Sequence, residues 1–229
     1  MKKLLCLVTV FQVVESYKGC GESPNVDRYR KKLNGIDHNN FRWDTVIVGN
    51  TNYNKGEPYY IQKIIPSSKS CLKSEKDKCA IQKDIVLLKL SEKVKFNEKI
   101  HAICLSKNLP KDEMTHHVVV GWGKNAFTNR DREVAFEVTV PLRHQEYCSL
   151  EKEEKELCAG GVMRGTTEGD SGGPLMILKN DKWYQHGITS RGQEVEESGY
   201  KSDIGIYTDV TKFCDFIEKG TRGDVKCEN

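Results

Sequence analysis

One stretch of the chain, Glu168–Leu175, combines a nucleophilic side chain with a flexible main chain. It reads Glu-Gly-Asp-Ser-Gly-Gly-Pro-Leu, so Ser171 follows an acid and precedes two glycines. Glycine accepts positive φ and lets a ligand approach the main chain closely. The amides of Gly169 and Ser171 can then point into one small space, as the stabilisation of an oxyanion requires. The pattern is suited to an oxyanion site beside the Ser171 hydroxyl; the alternative is a Gly-rich turn that happens to hold Ser and Pro.

The stretch Gly169–Leu175 resembles the nucleophile loop of the chymotrypsin/trypsin family of serine peptidases. Such enzymes use a base and an orienting carboxylate, in chain order His, Asp, Ser. Asp84 opens the run Asp84–Leu90, which resembles the family's segment around its catalytic aspartate. The alternative for Asp84 is an acid that caps the entry to a strand. The resemblance implies that Asp84 and Ser171 are catalytic, that the Gly169 and Ser171 amides form the oxyanion hole, and that the substrate is a protein or peptide; no cofactor is expected.

Further matches follow in the second half of the chain. Gly121–Gly123 resembles the family's Gly-Trp-Gly turn, Gly187–Gly192 its substrate-pairing strand, and Gly205–Val210 the strand before its terminal helix. These matches imply a set of substrate-binding residues: Gly165, Ser190, Arg191, Gly192 and Gly205.

Two of these residues bear on specificity. Gly165 stands where trypsin-like members carry the aspartate that binds Lys or Arg side chains, so tryptic specificity is not expected. Arg191 replaces the family's usual tryptophan and is expected to put a cation at the cleft. An acidic and an apolar substrate side chain both remain open.

The segment that carries the family's catalytic base has no counterpart in this sequence. His38 is the one histidine that precedes Asp84, and its surroundings are polar and turn-rich, so we interpret it as a loop histidine. The remaining histidines follow Asp84, and chain order excludes them as the base: His101, His116, His117, His144 and His186.

The family's activation signal is also missing. In the family, a newly cut Ile-Val-Gly-Gly terminus supplies an amine to the aspartate at the position of Asp170. Ile47–Asn50 resembles that terminus only superficially, and we interpret it as part of a strand. We therefore expect Asp170 to lack an ion-pair partner and its loop to be mobile. Thr167 stands where the family usually has a cysteine, and Gln193–Gly199 lacks that cysteine's partner.

The nine cysteines indicate an oxidising compartment, and none has zinc-ligand spacing, so no metal site is expected. Cys148 and Cys158 look like a disulfide of the family. Cys71 and Cys79 bracket a charged loop and form a plausible local bridge. The pairing of the other cysteines of the mature chain stays open: Cys20, Cys104, Cys214 and Cys227.

The N-terminus, Met1–Lys3 followed by the apolar run Leu4–Val14, predicts a signal peptide over residues 1–16 and a secreted protein. The alternative is a buried first strand. The run is too short to span a bilayer. A net charge of +3 with interspersed signs implies neither nucleic acid nor an anionic membrane as partner, and we expect a monomer. The charge run Glu151–Glu156 is interpreted as a solvated loop.

Many short β-rich runs separated by turn residues indicate a barrel or sandwich. With the resemblance, the expected fold is all-β: a chymotrypsin-like Greek-key double barrel whose first barrel is incomplete. We predict a partial first barrel over about 46–105, a complete second barrel over about 117–229, and a C-terminal helix at Val210–Glu218. Residues 17–45 are unassigned, and the peptidase domain is placed at 46–229.

Three functional hypotheses follow. The first is a secreted serine endopeptidase that acts through an acyl-enzyme. The second is a peptidase homologue that keeps the cleft and serves as a binding or regulatory module without turnover. The third is a truncated or mis-spliced product that lost the histidine segment.

Overall fold

The structure, a computed structural model, describes most of the chain from Thr45 onward and short pieces before it. The described residues are 5–8, 12–14, 30–31, 45–67, 84–125, 128–130, 132–150, 155–197 and 199–229. His38, Cys20, Cys71 and Cys79 lie outside them, so the loop interpretation of His38 and the Cys71–Cys79 bridge stay predictions.

Twelve strands are present within the described ranges. They are β1 (Leu5–Val8), β2 (Gln12–Val14), β3 (Arg30–Lys31), β4 (Thr45–Val48), β5 (Glu57–Pro66), β6 (Val86–Leu90), β7 (His116–Gly121), β8 (Phe136–Arg143), β9 (Glu156–Val162), β10 (Pro174–Lys179), β11 (Lys182–Glu197) and β12 (Tyr200–Asp209). A short 3₁₀ helix spans Gln145–Cys148, and another, Val210–Phe213, leads into the α-helix α1 (Cys214–Gly220).

The strands form one open sheet and one closed barrel. The described strands of the N-terminal sheet have the order β2-β1-β6-β5-β4-β3, and the barrel has the order β10-β11-β12-β9-β8-β7. Every pairing between these strands is antiparallel. Two isolated bridges, Cys104–Tyr184 and Ser106–Glu228, are parallel. The predicted all-β fold, with a complete second barrel, an incomplete first one and a terminal helix, is confirmed.

Strand alternation accounts for the core of the barrel. Val119, Val140, Leu175 and Tyr207 are fully or almost fully buried and belong to one apolar cluster inside the barrel. Their side chains point inward because successive residues of a strand face opposite sides of a sheet. At about 25 cal/mol per Å², burial of such side chains is the main force that closes the barrel.

A second cluster joins the barrel to the N-terminal sheet. Ile85 and Leu87 come from the sheet side, Ile188 comes from β11, and Phe213 and Ile217 come from the terminal helices. Because these residues are buried in one cluster, the segment that begins with Asp84 lies near the part of β11 around Ile188. This packing brings the two predicted catalytic segments into one region.

The N-terminal apolar run contributes to the open sheet. Leu5–Val8 pairs antiparallel with Val86–Leu90, which is the strand alternative considered for this run. Arg30–Lys31, in the segment that the sequence left unassigned, pairs with β4. Removal of residues 1–16 as a signal peptide stays a prediction.

Two disulfides are formed within the described ranges. Cys148 is bonded to Cys158, as the resemblance implied, and Cys214 is bonded to Cys227, a pairing that the sequence left open. Cys104 is disulfide-bonded as well. None of the helices described is both long and apolar enough to cross a membrane.

The barrel also buries a pair of histidines, His117 and His186, which are both completely inaccessible. The carbonyl of Thr115 lies 3.1 Å from His117 Nδ1 and can only accept, so Nδ1 carries the proton. His117 Nε2 then accepts from His186 Nδ1 at 2.8 Å. This leaves His186 Nε2 buried as an unprotonated acceptor, without a partner among the described residues. The pair is therefore built for the neutral form.

We expect this pair to make folding sensitive to acid. Burial lowers the pKa of both rings; with the neighbouring His117 and Lys111, it lowers the pKa of His186 to about 2. The unfolded chain takes up protons below its ordinary histidine pKa of about 6.5, whereas the folded chain does not, so stability is lost as the pH falls through that value. Between pH 7.5 and 5.0 the free energy of unfolding should fall by about 2 kcal/mol for His186 alone.

Urea unfolding at the two pH values measures this loss. The His186→Met variant should show a smaller difference between them, and His101→Gln, at an exposed histidine, should keep the difference of the unmodified chain. Equal stability of the unmodified chain at pH 7.5 and 5.0 would contradict the interpretation.

Candidate active site

The nucleophile loop enters the barrel at the start of β10. Gly169 and Gly172, on either side of Asp170-Ser171, have φ of +96° and +83°, which a glycine adopts without strain. Ser171 between them is exposed, whereas Gly172, Gly173 and Pro174 are buried. The loop therefore presents the Ser171 hydroxyl at the surface while its following residues are fixed in the core.

The two amides expected to form an oxyanion hole are available to a ligand. Within the described part of the chain, neither the Gly169 N–H nor the Ser171 N–H donates a hydrogen bond, although the neighbouring amides of Asp170, Gly172 and Gly173 all do. Both residues are exposed, so water or a ligand can satisfy their amides. An oxyanion site requires amides that can donate to a ligand in this way.

Asp84 is positioned by the strand that the resemblance assigned to substrate binding. Ser190 Oγ donates to Asp84 Oδ2 at 2.8 Å, and Thr208 Oγ1 donates to the Asp84 carbonyl at 3.0 Å. Ser190 reaches Asp84 because the register between β11 and β12 shifts between Thr189 and Arg191. Such a bulge leaves one extra residue, here Ser190, out of the ladder and changes the direction of its side chain.

The same strand segment binds the nucleophile loop. Gly172 N donates to the Thr189 carbonyl at 2.7 Å, and Thr189 N donates to the Gly173 carbonyl at 2.8 Å. Thr189 Oγ1 donates to that carbonyl too, at 3.0 Å. Asp84 and the Ser171 loop are therefore bound to two successive residues of β11, Ser190 and Thr189.

No described histidine completes this arrangement. His117 and His186 are bonded to each other inside the barrel, and the other described histidines are exposed: His101, His116 and His144. Among the described residues, none of them hydrogen-bonds to Asp84 or Ser171. The exclusion of these residues by chain order agrees with their positions.

The Asp170 carboxylate is supplied with hydrogen-bond donors from the main chain. Gly123 N donates to Oδ1 at 2.7 Å and Thr167 N donates to Oδ2 at 2.8 Å. The sequence predicted that Asp170 lacks an ion-pair partner and that its loop is mobile. Main-chain amides donate to both of its carboxylate oxygens, and the mobility of the loop stays a prediction.

The surroundings of the Arg191 side chain also differ from those that the sequence predicted. Its guanidinium donates to both carboxylate oxygens of Glu156, at 2.5 and 3.0 Å. Glu156 is 2% exposed, so the charge of Arg191 is neutralised by a buried partner rather than offered free to the cleft. The interpretation of Glu151–Glu156 as a solvated loop is wrong for Glu156, which begins β9.

The glycines of the predicted substrate site lie on facing strands. Gly192 pairs with Gly205 across the β11–β12 ladder. A Cβ on Gly192 would meet no atom within 4 Å, whereas a Cβ on Gly205 would run into the ring of Tyr207. Gly165 is half-buried in the loop before Ser171. Substrate binding by these residues stays a prediction.

Comparison with known proteins identifies the family to which this chain belongs. The family model described as Trypsin matches residues 38–217 of this chain. The chain belongs to this family.

Several named relatives agree. The chain is 36% identical over 150 residues to the CLIP domain-containing serine protease HP8 of Bombyx mori, an alignment that covers 59% of this chain and 40% of the relative. It is 36% identical over 147 residues to the proclotting enzyme of Tachypleus tridentatus, covering 58% and 38%. It is 29% identical over 210 residues to coagulation factor XI of Bos taurus, covering 88% and 30%. The chain thus spans well under half the length of these relatives.

The Arg191–Glu156 pair leads to a stability prediction. Arg191→Met removes the cation and leaves the Glu156 carboxylate buried without its partner, which should cost about 3–5 kcal/mol of unfolding free energy. Arg191→Met combined with Glu156→Leu removes both charges and should recover most of that loss. Urea denaturation of the two variants measures the difference. A loss below about 1 kcal/mol in the single variant would show that Glu156 does not depend on Arg191.

Proposed function

We propose that this chain carries the acyl-transfer site of a secreted serine endopeptidase, in a domain over residues 46–229. Ser171 is the nucleophile, Asp84 orients the base, and the Gly169 and Ser171 amides stabilise the oxyanion. Substrate main chain pairs with Ser190–Gly192. The substrate is a protein or peptide, and the disulfides Cys148–Cys158 and Cys214–Cys227 are in keeping with an oxidising, extracellular setting.

The chemistry divides one amide hydrolysis into two steps. Ser171 Oγ attacks the scissile carbonyl carbon and loses its proton to a histidine base, which is not among the described residues. The negative charge that develops on the carbonyl oxygen is stabilised by the two amides. The amine leaves with a proton from the base, and an ester to Ser171 remains. Water then attacks the carbonyl carbon of that ester and gives a proton to the same base. The acid product leaves, and the proton returns to Ser171 Oγ.

One observation supports this function above the rest: Thr189 and Ser190 bind the nucleophile loop and Asp84, respectively. Three contacts of 2.7–3.0 Å join Thr189 to Gly172 and Gly173, and one of 2.8 Å joins Ser190 to Asp84. Residues distant in sequence are brought to one short strand segment. A Gly-rich turn without a catalytic role would not account for the Asp84 carboxylate beside the residue that binds the loop.

A second candidate is the homologue that binds peptides without cleaving them. It is favoured by the Asp84 carboxylate, which is bonded to Ser190 and to no histidine of the described residues. The two candidates differ in one property, namely whether Ser171 is reactive as a nucleophile.

Covalent labelling with a fluorophosphonate probe distinguishes the candidates. The endopeptidase should be labelled at Ser171, and Ser171→Ala should abolish labelling because no other side chain supplies the attacking oxygen. Asp84→Asn should slow labelling by on the order of 10³–10⁴-fold, since the base loses its orientation. Labelling rates are measured by fluorescence in gels and the labelled site by mass spectrometry of peptides.

His38→Ala serves as the test of the base that precedes Asp84. Loss of labelling in that variant would assign the base to His38, and unchanged labelling would assign the base elsewhere. A folded chain that stays unlabelled would rule out the endopeptidase in this form and leave the peptide-binding homologue.

A further inference from the structure

The nucleophile loop is joined to the turn after β7 by a compact set of contacts around Asp170. Gly123 supplies one amide to the carboxylate and Thr167 supplies the other, from separate segments of the chain. Because Asp170 lies between Gly169 and Ser171, fixing its side chain from two directions also fixes the peptide units that carry the two oxyanion amides.

The turn Gly121–Gly123 is shaped to receive this carboxylate. A Cβ at Gly121 would overlap Asp170 Oδ1, and a Cβ at Gly123 would lie 2.5 Å from both Cγ and Oδ2. Real Cβ contacts are not that short, so any side chain at either position would displace the carboxylate. The two glycines are thus required by the space that Asp170 occupies.

The Thr167 hydroxyl joins the nucleophile loop to the residue that follows the Gly121–Gly123 turn. Oγ1 lies 2.7 Å from the Lys124 carbonyl and 3.3 Å from Asp170 Oδ2. Both partners are acceptors and the hydroxyl has one proton, so the proton goes to the shorter contact, the Lys124 carbonyl. Thr167 therefore bonds Asp170 with its amide and ties the loop to the turn with its hydroxyl.

Lys124 and Glu168 reinforce the same junction. Lys124 N donates to the Glu168 carbonyl at 2.8 Å, and the two side chains form an ion pair at 2.8 Å. Asp170 itself is ion-paired with no cation in the part of the chain that the structure describes. The charged carboxylate is held by uncharged donors.

We propose that Thr167 is a positioning residue of the oxyanion amides: its hydroxyl and amide hold the Asp170 loop against the Gly121–Gly123 turn, so that this chain sets the Gly169–Ser171 conformation with neutral internal donors. The effect on reactivity rests on the function proposed above, whereas the effect on loop geometry does not. Thr167 touches no reacting atom and acts through Asp170.

Two substitutions at Thr167 separate its hydroxyl from its shape. Thr167→Val has nearly the same volume without the hydroxyl and should lower the fluorophosphonate labelling rate about tenfold, the effect of one lost hydrogen bond to the loop. Thr167→Ser keeps the hydroxyl and should label within about threefold of the unmodified chain. Asp170→Asn puts an NH₂ against a main-chain amide and should lower labelling by on the order of 10²–10³-fold, as loss of an oxyanion donor does.

Hydrogen exchange supplies a readout that needs no reactive serine. In Thr167→Val, exchange of the Thr167, Asp170 and Gly123 amides should accelerate, while the Ser variant keeps the original rates. Thr139→Val, at an exposed threonine of β8, is the matched control and should change neither readout.

The outcomes separate the two proposals. An unlabelled chain whose Thr167→Val variant exchanges faster keeps this inference and overturns the endopeptidase. Labelling and loop exchange that are unchanged in Thr167→Val overturn the inference whatever the chain's activity. Equal losses in Thr167→Val and Thr167→Ser would also overturn it, because the hydroxyl would then not be the group that matters.

Discussion

The site depends on the main-chain and side-chain bonds of Thr189 and Ser190, at one place on β11. Thr189 is bonded to Gly172 and Gly173 of the nucleophile loop, and Ser190 is bonded to Asp84. Ile188, the residue before them, is packed in the cluster shared by both halves of the fold. A shift of β11 by one residue would turn each of these side chains to the other face of the sheet. The register of this strand therefore decides whether Asp84 and the nucleophile loop are bound to neighbouring residues of β11.

Charge near the site follows a consistent rule: the buried and half-buried carboxylates have donors, and the two buried histidines are neutral. Glu156 is matched by the guanidinium of Arg191, and Asp170 by two amides. Asp209 is matched by Thr211 and by an ion pair with Lys111, which lies before β7, so this pair joins that segment to the end of β12. Because an unpaired buried charge is costly, these pairings stabilise the folded chain only while each partner is present.

Much of the fold could be predicted from the sequence, because its signals are local. Three segments can be recognised from their own residues: Asp84–Leu90, Gly121–Gly123 and the stretch around Ser171. In the structure they lie at or beside β6, β7 and β10. Apolar spacing in Val210–Glu218 was enough for the terminal helix. The N-terminal strand Leu5–Val8 was harder to predict, because an apolar run after lysines is typical of a signal peptide, and a strand is only the alternative.

The parts that the sequence could not supply are contacts between distant residues. Glu156 lies in a run of charges and reads as solvated until Arg191, 35 residues later, is seen beside it. Ser190 reaches Asp84 through a bulge that no motif marks. The sequence marks Thr167 only as the replacement of a cysteine. Its bond to the Lys124 carbonyl joins segments that are distant in the sequence and meet only in the folded barrel.

The most direct measurement is a crystal structure of the chain after reaction with a small phosphonate. We expect a covalent bond from Ser171 Oγ to phosphorus and a phosphoryl oxygen about 2.7–3.1 Å from both the Gly169 and Ser171 amides. Asp84 should remain bonded to Ser190 in the same crystal. An unmodified Ser171, or a phosphoryl oxygen directed to solvent away from the two amides, would contradict the assignment of this loop as an acyl-transfer site.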